Sequence, residues 1–169
     1  MLQQTLIIIK PDGVSRGLST EIIKRYEATG LKVVKRKDMM APLSIVEKHY
    51  PMDTEYLRLI GEKTIAAGQK VSSAEDQGRK VVTWLRKFIT SGPIVVLLLE
   101  GEDTVAVARK VSGFTDPATA EKGTIRGDLG TDNIIDANRE ERPVYNLIHA
   151  SGSPEEAKKE IGLWFEKEN

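Results

Sequence analysis

Short runs of apolar and β-branched residues predict three strands along the chain. The runs are Thr5 to Ile9, Leu31 to Lys37 and Ile94 to Leu99, and polar or turn-forming residues bound them. The second run contains valines and follows Gly30, but it alternates less regularly between apolar and polar positions than the ideal strand pattern. All three runs are interpreted as strands.

Helical spacing appears between and after these strands. Apolar residues recur at this spacing between the first two strands: Ile22, Ile23 and Tyr26. Ser19 or Thr20 provides a start signal for this helix, and Gly30 provides a stop signal. After the third strand, Asp103 can cap a second helix that ends at Gly113. The repeated order of strand and helix favours a mixed α/β sandwich.

The last helix has the clearest start signal in the chain. Ser153 is placed to cap it, Pro154 takes its first turn, and Glu156 stands at the position of a capping box. An apolar stripe follows at helical spacing: Ala157, Ile161 and Trp164. We expect this stripe to face the core.

Length and composition fit one domain. The chain has 169 residues, of which 40% are hydrophobic, so it can bury a core without a disulfide or a structural metal. Residues 1–169 are therefore expected to form a single domain. Two stretches look like insertions into it: Met52 to Arg79, which is polar and partly helical in pattern, and Leu129 to Pro143, which is rich in Asp, Glu and Asn.

Charge and cysteine content exclude several kinds of site. Lysine plus arginine and aspartate plus glutamate number 25 each, so no excess positive charge favours nucleic acid or an anionic membrane. Cysteine is absent, which excludes disulfides, thiolate metal sites and a cysteine nucleophile, and fits a reducing compartment. The longest apolar run, Ile94 to Leu99, is too short to span a bilayer, so a soluble, cytoplasmic protein is expected.

Only two histidines are present, so any imidazole chemistry belongs to one of them. His149 ends the apolar stretch Val144 to Ile148 and precedes the last helix, a junction where functional side chains often lie. A partly buried histidine that is hydrogen-bonded near a helix cap fits the same position. His49 lies in a helical stretch flanked by Glu and Lys and is expected at the surface.

Glu160 places a carboxylate at the margin of the apolar stripe of the last helix, three residues after Ala157 and four before Trp164. A carboxylate there can fix the orientation and the tautomer of a histidine. The alternative is a glutamate that points to solvent.

The segment Gly113 to Asp128 is a candidate phosphate site. It combines Gly, Pro and Thr residues with the cations Lys122 and Arg126, and backbone amides, hydroxyls and guanidinium groups suit phosphate oxygens. The chain contains neither a P-loop motif nor a dinucleotide-binding glycine motif. A phosphate site would therefore be built from side chains.

Four segments in order carry a family resemblance: TLIIIKPDGVSRGL at Thr5 to Leu18, Ser91 to Pro93 with the strand that follows, GTIRGD at Gly123 to Asp128, and NLIHASGS at Asn146 to Ser153. They resemble the nucleoside diphosphate kinase family, and the resemblance runs from Thr5 to Phe165. The two insertion-like stretches resemble those of a long-chain branch. The resemblance implies a ferredoxin-like βαββαβ fold, an α+β arrangement with helices packed on an antiparallel sheet.

The resemblance also implies a catalytic set. His149 would accept the γ-phosphate of a nucleoside triphosphate and pass it to a nucleoside diphosphate in a ping-pong cycle. Ser151 and Glu160 would orient the histidine, and Tyr50 would stand beside it. Lys10 would meet the ribose hydroxyl and the transferring phosphate.

Further residues are implied to bind the nucleotide. Arg109, Thr115 and Arg126 would hold the phosphates, and Asn146 would contact the sugar. Ser151 is placed among these nucleotide-binding residues as well. Counting back from Gly92 puts Val81 at the place of the family's base-stacking phenylalanine. Magnesium (Mg²⁺) would arrive bridging the nucleotide phosphates, so no protein side chain is expected to ligate it.

The implied partners are ribo- and deoxyribonucleoside di- and triphosphates, without nucleic acid or membrane, and a homo-oligomer in which a hexamer is favoured over a tetramer. The family's usual run H-G-S-D-S reads His149, Ala150, Ser151, Gly152 and Ser153 here, so its aspartate is replaced by glycine. Two alternatives belong to other classes: a nucleotide-binding regulatory module without turnover, and a nucleic-acid-binding protein. The intact catalytic set argues against the first, and the balanced charge argues against the second.

Overall fold

Four strands and nine helices make up residues 2–165, the part of the chain described by the structure, a computed structural model. The strands are Leu2–Ile9 (β1), Lys32–Met40 (β2), Pro93–Glu102 (β3) and Ile148–Ala150 (β4). The helices are Pro11–Ser15 (α1), Ser19–Glu27 (α2), Leu43–His49 (α3), Thr54–Ala66 (α4), Ala74–Ile89 (α5), Thr104–Ser112 (α6), Ile125–Leu129 (α7), Ile134–Arg139 (α8) and Pro154–Phe165 (α9). None of these helices is long and apolar enough to cross a membrane.

The strands form one sheet in the order β2-β3-β1-β4, and every pairing is antiparallel. This arrangement confirms the expected antiparallel sheet with helices packed on it. The three predicted strands are present as β1, β2 and β3. The less regular pattern of the second has a physical cause, because the register of β2 shifts between Val33 and Lys35, which interrupts the alternation of side chains.

The second half of strand β1, Leu6 to Ile9, is buried on both faces, which explains why this run is continuously apolar. Ile7 and Ile9 contribute to a core with α2 and α6, whereas Leu6 and Ile8 contribute to a second core with α3, α5 and α9. All four side chains are fully buried. Because β1 pairs with β3 on one side and β4 on the other, it fixes the position of the residues that directly follow its end at Ile9.

The start signals of the later helices are confirmed in full for α9 and in part for α6. Ser153 Oγ accepts a hydrogen bond from the amide of Glu156 at 3.1 Å, and the apolar stripe of α9 faces the core through Ala157 and Trp164. Asp103 does occupy the N-cap position of α6, but its side chain makes no capping hydrogen bond. Gln3 serves this helix start instead, since its amide oxygen accepts from Val105 N at 2.9 Å.

The first insertion-like stretch, residues 52–79, comprises α4 and the beginning of α5, which cross at two glycines. A Cβ atom on Gly61 would lie 1.8 Å from the carbonyl oxygen of Ala74, and one on Gly78 would lie 1.7 Å from the carbonyl oxygen of Leu57. The backbones of the two helices therefore touch, and only glycine permits this approach. Helix α4 is held against α5 by direct backbone packing.

The second insertion-like stretch, residues 129–143, contains α8 and is joined to the first. The side chain of Asn138 accepts a hydrogen bond from Gln77 at 3.1 Å and donates one to Gln69 at 2.9 Å. Gln77 lies on α5 and Gln69 lies in the connection between α4 and α5. The two stretches thus form one connected structure.

The glycine contact generates a stability prediction. Gly78→Ala is expected to lower the free energy of unfolding by about 2 kcal/mol, because the added methyl group must separate two backbones that touch. Urea unfolding measures the change, with Lys80→Ala on the exposed side of the same helix as a control expected within about 0.5 kcal/mol of the parent. A gain of stability, the usual result of replacing a helical glycine, would contradict the described crossing.

Candidate active site

A cavity of about 580 Å³ lies beside the ends of β1 and β4. Nine of the residues singled out from the sequence line it: Lys10, Tyr50, Val81, Arg109, Thr115, Arg126, Asn146, His149 and Glu160. These residues come from five helices or strands and the segments between them, so the fold brings together positions that are far apart in the chain. The tenth residue, Ser151, is fully buried and does not line the cavity.

His149 is held in one orientation by Glu160. The imidazole lies in β4 opposite Ile8 of β1, and its Nε2 atom is 2.9 and 3.0 Å from the two carboxylate oxygens of Glu160. A carboxylate only accepts, so Nε2 carries the proton and donates it to this contact. The Nδ1 atom is then the unprotonated nitrogen, and it makes no hydrogen bond within residues 2–165.

Glu160 is itself fixed by Ser151, which links it to the sheet. Ser151 Oγ donates to Glu160 Oε2 at 2.6 Å, and Ser151 N donates to the carbonyl of Leu6 in β1 at 3.2 Å. Burial alone would raise the pKa of Glu160, but His149, together with His49 and Ser151, lowers it to about 2. The carboxylate is therefore ionised at neutral pH.

The resemblance implied two roles for Ser151, and its position in the structure fits only one of them. A direct contact with the nucleotide is wrong, because the side chain lies outside the cavity and is fully buried. Its hydrogen bond to Glu160 fits the orienting role, since it restrains the carboxylate that holds the imidazole of His149.

His49 is not at the surface as expected but is buried beside His149, with their ring centroids 4.5 Å apart. Tertiary packing overrides the polar sequence around it, because Trp164 of α9 donates its indole N–H to His49 Nδ1 at 3.2 Å. Burial, followed by the charge of His149, lowers the pKa of His49 to about 3. Tyr50 stands farther from His149, at 6.5 Å between centroids, so His49 is the nearer ring.

The turn before His149 is strained and is held from both sides. Leu147 has a φ of 72°, which is rare for a residue with a branched side chain, and Ile148 N donates to Asn146 O at 2.8 Å. The amide of Leu147 donates to Asp12 at 3.0 Å, and its carbonyl accepts from Lys10 N at 2.8 Å. The segment after β1 thus fixes this turn.

Lys10 and Asn146 form the next contact along the cavity. Lys10 Nζ donates to the amide oxygen of Asn146 at 2.9 Å, and Asn146 Nδ2 donates to the carbonyl of Thr115 at 2.9 Å. Burial, followed by the charge of Arg126, lowers the pKa of Lys10 to about 8. The ammonium group is mostly charged at pH 7 but becomes neutral well below the range of an exposed lysine.

Arg126 uses three of its five N–H donors within the protein. They reach the carbonyls of Asn146 at 3.1 Å, Gly113 at 2.9 Å and Ile148 at 2.6 Å. Burial lowers its pKa to about 10, so the group stays cationic at neutral pH. It therefore joins the predicted phosphate segment to the histidine turn while it also contributes positive charge to the cavity.

The comparisons with known proteins agree with this geometry. A family model described as nucleoside diphosphate kinase matches residues 3–57 and 57–169. A nucleoside diphosphate kinase from Pyrobaculum aerophilum is 43% identical over 177 residues, which cover 99% of this chain and 97% of the relative. The chain belongs to the nucleoside diphosphate kinase family.

Two solved structures of nucleoside diphosphate kinases have the same fold. The crystal structure of an NDP kinase from Pyrobaculum aerophilum superposes with a TM-score of 0.92 at 41% identity and covers 99% of this chain and 98% of its own. The enzyme from Borrelia burgdorferi, described as a transition-state mimic with bound vanadate and ADP, has a TM-score of 0.81 at 35% identity and covers 98% and 88%. These neighbours confirm the predicted fold of the family.

The glycine that replaces the usual aspartate of the family has a local explanation. The amide of Gly152 donates to Glu156 Oε2 at 2.7 Å, and a Cβ atom on Gly152 would lie 2.6 Å from the same oxygen. Glu156 therefore supplies a carboxylate at the start of α9, where a helix favours negative charge. A side chain at position 152 would require this carboxylate to move.

His49, His149 and Glu160 are the one group of possible metal ligands found among residues 2–165, with ligand atoms within 4.8 Å of one another. The Glu160 carboxylate and one ring nitrogen of each histidine already bond to each other or to Trp164. Magnesium prefers several oxygen ligands. The group is therefore a hydrogen-bonded network and does not fit a magnesium site.

Some cavity residues were missed by sequence reasoning. His49 is one, and several others, which include Tyr56, Ile60 and Lys63, lie on the insertion helix α4. The helical spacing of these three residues was visible in the sequence, but nothing indicated which neighbour the helix packs against. Val81 does line the cavity from α5, beside Leu85.

The buried state of His49 generates a pH prediction. The unfolded chain protonates this imidazole near pH 6.5 and the folded chain only near pH 3, so the unfolded state binds more protons between these values. Stability should fall as the pH falls through this window. The variant His49→Asn retains an acceptor for Trp164. Between pH 6.5 and 5 its free energy of unfolding should fall by about 1.5 kcal/mol less than that of the parent.

Urea unfolding at several pH values measures this difference, and the pH range keeps Glu160 ionised in both proteins. The absolute stability of the variant is not the readout, because the substitution also changes packing. Parallel pH profiles for the two proteins would show that His49 is not the titrating group.

Proposed function

We propose that this kinase transfers the terminal phosphate of a nucleoside triphosphate to a nucleoside diphosphate through a phosphorylated His149. The observation that carries the proposal is the chain of hydrogen bonds from β1 through Ser151 and Glu160 to His149, at the wall of a cationic cavity. It holds one imidazole nitrogen protonated and leaves the other as a base. This is the arrangement of an activated nucleophile.

In the first half of the cycle, the lone pair of His149 Nδ1 attacks the γ-phosphorus of the triphosphate. The bond from phosphorus to the bridging oxygen breaks, and the diphosphate leaves with the electron pair. The imidazole now carries the phosphoryl group on Nδ1 and the proton on Nε2, so the ring is cationic. The ionised Glu160 at 2.9 Å stabilises this positive charge. The second half reverses these steps with a terminal oxygen of the incoming diphosphate.

Positive side chains supply the remaining stabilisation. Six cationic residues line the cavity, and two carboxylates oppose them: Lys10, Lys48, Lys63, Arg109, Arg126 and Lys159 against Glu156 and Glu160. Phosphoryl transfer passes through a loose transition state with charge on the equatorial oxygens, so positioned cations do most of the work. Lys10, Arg109 and Arg126 are proposed to bind the transferring and departing phosphates, with Thr115 beside them.

Finer features belong to the same proposal. Magnesium is proposed to arrive on the nucleotide, because both oxygens of Glu160 are engaged with His149 and Ser151. Asn146 is proposed to contact the sugar and Val81 the base, and neither contact selects one base, so ribo- and deoxyribonucleotides are accepted. A cytoplasmic homo-oligomer, with a hexamer favoured over a tetramer, follows the family and agrees with the absence of cysteine.

The first prediction of this mechanism is a labelled intermediate. Incubation with γ-labelled ATP and magnesium should leave label on the protein that is lost in acid, survives alkali and moves to added nucleoside diphosphate, as expected of a phosphoramidate. His149→Ala should abolish labelling and turnover. Its thermal unfolding should stay near that of the parent, because the side chain is partly exposed at the cavity wall.

Glu160→Gln tests the orienting contact in the same assay. It should slow transfer by a factor of roughly ten to a thousand, because it removes the charge that fixes and stabilises the imidazole but leaves the nucleophile. Continued acid-labile labelling of His149→Ala would place the acceptor at His49 or another group. Normal turnover of that variant without label would indicate direct transfer between nucleotides.

The second prediction uses the lowered pKa of Lys10. In the free enzyme this ammonium group loses its proton above about pH 8, so kcat/KM for the nucleotide should fall above that pH by up to about tenfold per unit. Lys10→Gln should have a lower kcat/KM at pH 7.5, and its kcat/KM should not fall between pH 8 and 9.5. A parent profile that stays level to pH 9.5 would contradict the assignment.

A further inference from the structure

The insertion helix α4 presents one face to the cavity and an adjacent face to α5. Tyr56, Ile60 and Lys63 line the cavity, and their spacing of four and then three residues places them on one side of the helix. Leu57 and Gly61 lie on the buried side against α5. Lys63 is therefore positioned by a packed helix and not by a flexible loop.

The backbone that carries Lys63 is held at both ends of the crossing. Gly61, two residues earlier, contacts the backbone of Ala74, and Gly78 of α5 contacts the backbone of Leu57. Beyond the helix, Gln69 is hydrogen-bonded to Asn138 of α8. A side chain on such a fixed support loses less entropy when it binds a ligand than one on a mobile segment.

Lys63 faces other positive charges and has no anionic partner of its own. It forms no ion pair within residues 2–165. Its side chain is still exposed to the open cavity, yet loss of water there lowers the pKa of the ammonium group. The charges of Arg109 and Arg126 lower it further, while Glu156 raises it. A group placed this way favours an anion in the space it shares with the two arginines.

We propose that Lys63 is a further phosphate-binding residue of the active site, supplied by the insertion helix to contact the phosphate oxygens of the bound nucleotide. The inference rests on the proposed function for the identity of the ligand. The choice of Lys63 rests on three observations: it lines the cavity, its helix is fixed by backbone packing, and it shares a positive field with the two arginines. An ammonium group suits this role because it donates several hydrogen bonds to a charge that is spread over several oxygens.

Lys63→Met tests the proposal, because it keeps the length of the side chain and removes its charge. The affinity for ADP should fall about tenfold, and the KM for ATP should rise by a similar factor, whereas the affinity for adenosine should stay within about twofold. The loss for AMP should lie between these values. Titration calorimetry with ADP, AMP and adenosine measures the series, and Lys63→Arg should recover most of the ADP affinity.

Lys158→Met is the matched control, because Lys158 is an exposed lysine of α9 that does not line the cavity. It should bind all three ligands as the parent does. The slope of log affinity for ADP against log salt concentration should also become shallower in Lys63→Met and not in the control, because one cation no longer attracts the phosphates. Thermal unfolding of both variants should stay within a few degrees of the parent.

Equal binding of ADP by Lys63→Met and the parent would overturn the inference, and so would an equal loss for adenosine and ADP. A clear loss of stability without a change in ADP binding would also overturn it and would assign Lys63 to the neutralisation of Glu156. Phosphate exchange by the parent is measured separately. Its absence would remove the proposed function, while the binding series would still report whether Lys63 contacts phosphate.

Discussion

The backbone turn at Leu147 is the constraint on which the site depends. A leucine with a φ of 72° costs of the order of 1–3 kcal/mol, and the turn persists because Asp12 and Lys10 bond its amide and its carbonyl. Asn146, which receives the ammonium group of Lys10, immediately precedes the turn, and His149 follows two residues later. Lys10, the proposed sugar contact Asn146 and the proposed nucleophile His149 therefore share one turn, and β1 sets the position of all three.

Charge balance over the whole chain conceals a strong local imbalance. Positive and negative side chains are equal in number at 25 each, yet the cavity is lined by six cations and two carboxylates. Burying such charges costs free energy, and Arg126 offsets part of the cost through three backbone carbonyls while Lys10 bonds Asn146. The remaining field suits a polyanion. Net charge argued against nucleic acid and membrane as general partners, but it contained no information on this concentration of charge.

Local patterns predicted the parts of the structure that local forces determine. The strands, the capped start of α9 and the unusual position of Glu160 were visible in the sequence, because burial periodicity and capping act over a few residues. His49 was placed wrongly, since its burial depends on Trp164, which lies more than a hundred positions away. Asp103 lies at the predicted N-cap position of α6, but Gln3 from the neighbouring strand makes the capping hydrogen bond in its place. Long-range partners of this kind leave no periodic signal.

The insertions also mark a limit to the residue roles that the family resemblance can assign. Resemblance transfers a role only to a matching position, and a residue on an added helix has no such position. Packing decides its contribution instead: the touching backbones at Gly61 and Gly78 bind α4 to α5, and α5 itself carries Val81 and Leu85 to the cavity. One helical pair therefore borders the cavity both at Lys63, through α4, and at the proposed base contact, through α5. Because the helices cannot slide without a backbone clash, the spacing between these two regions is set by the glycines.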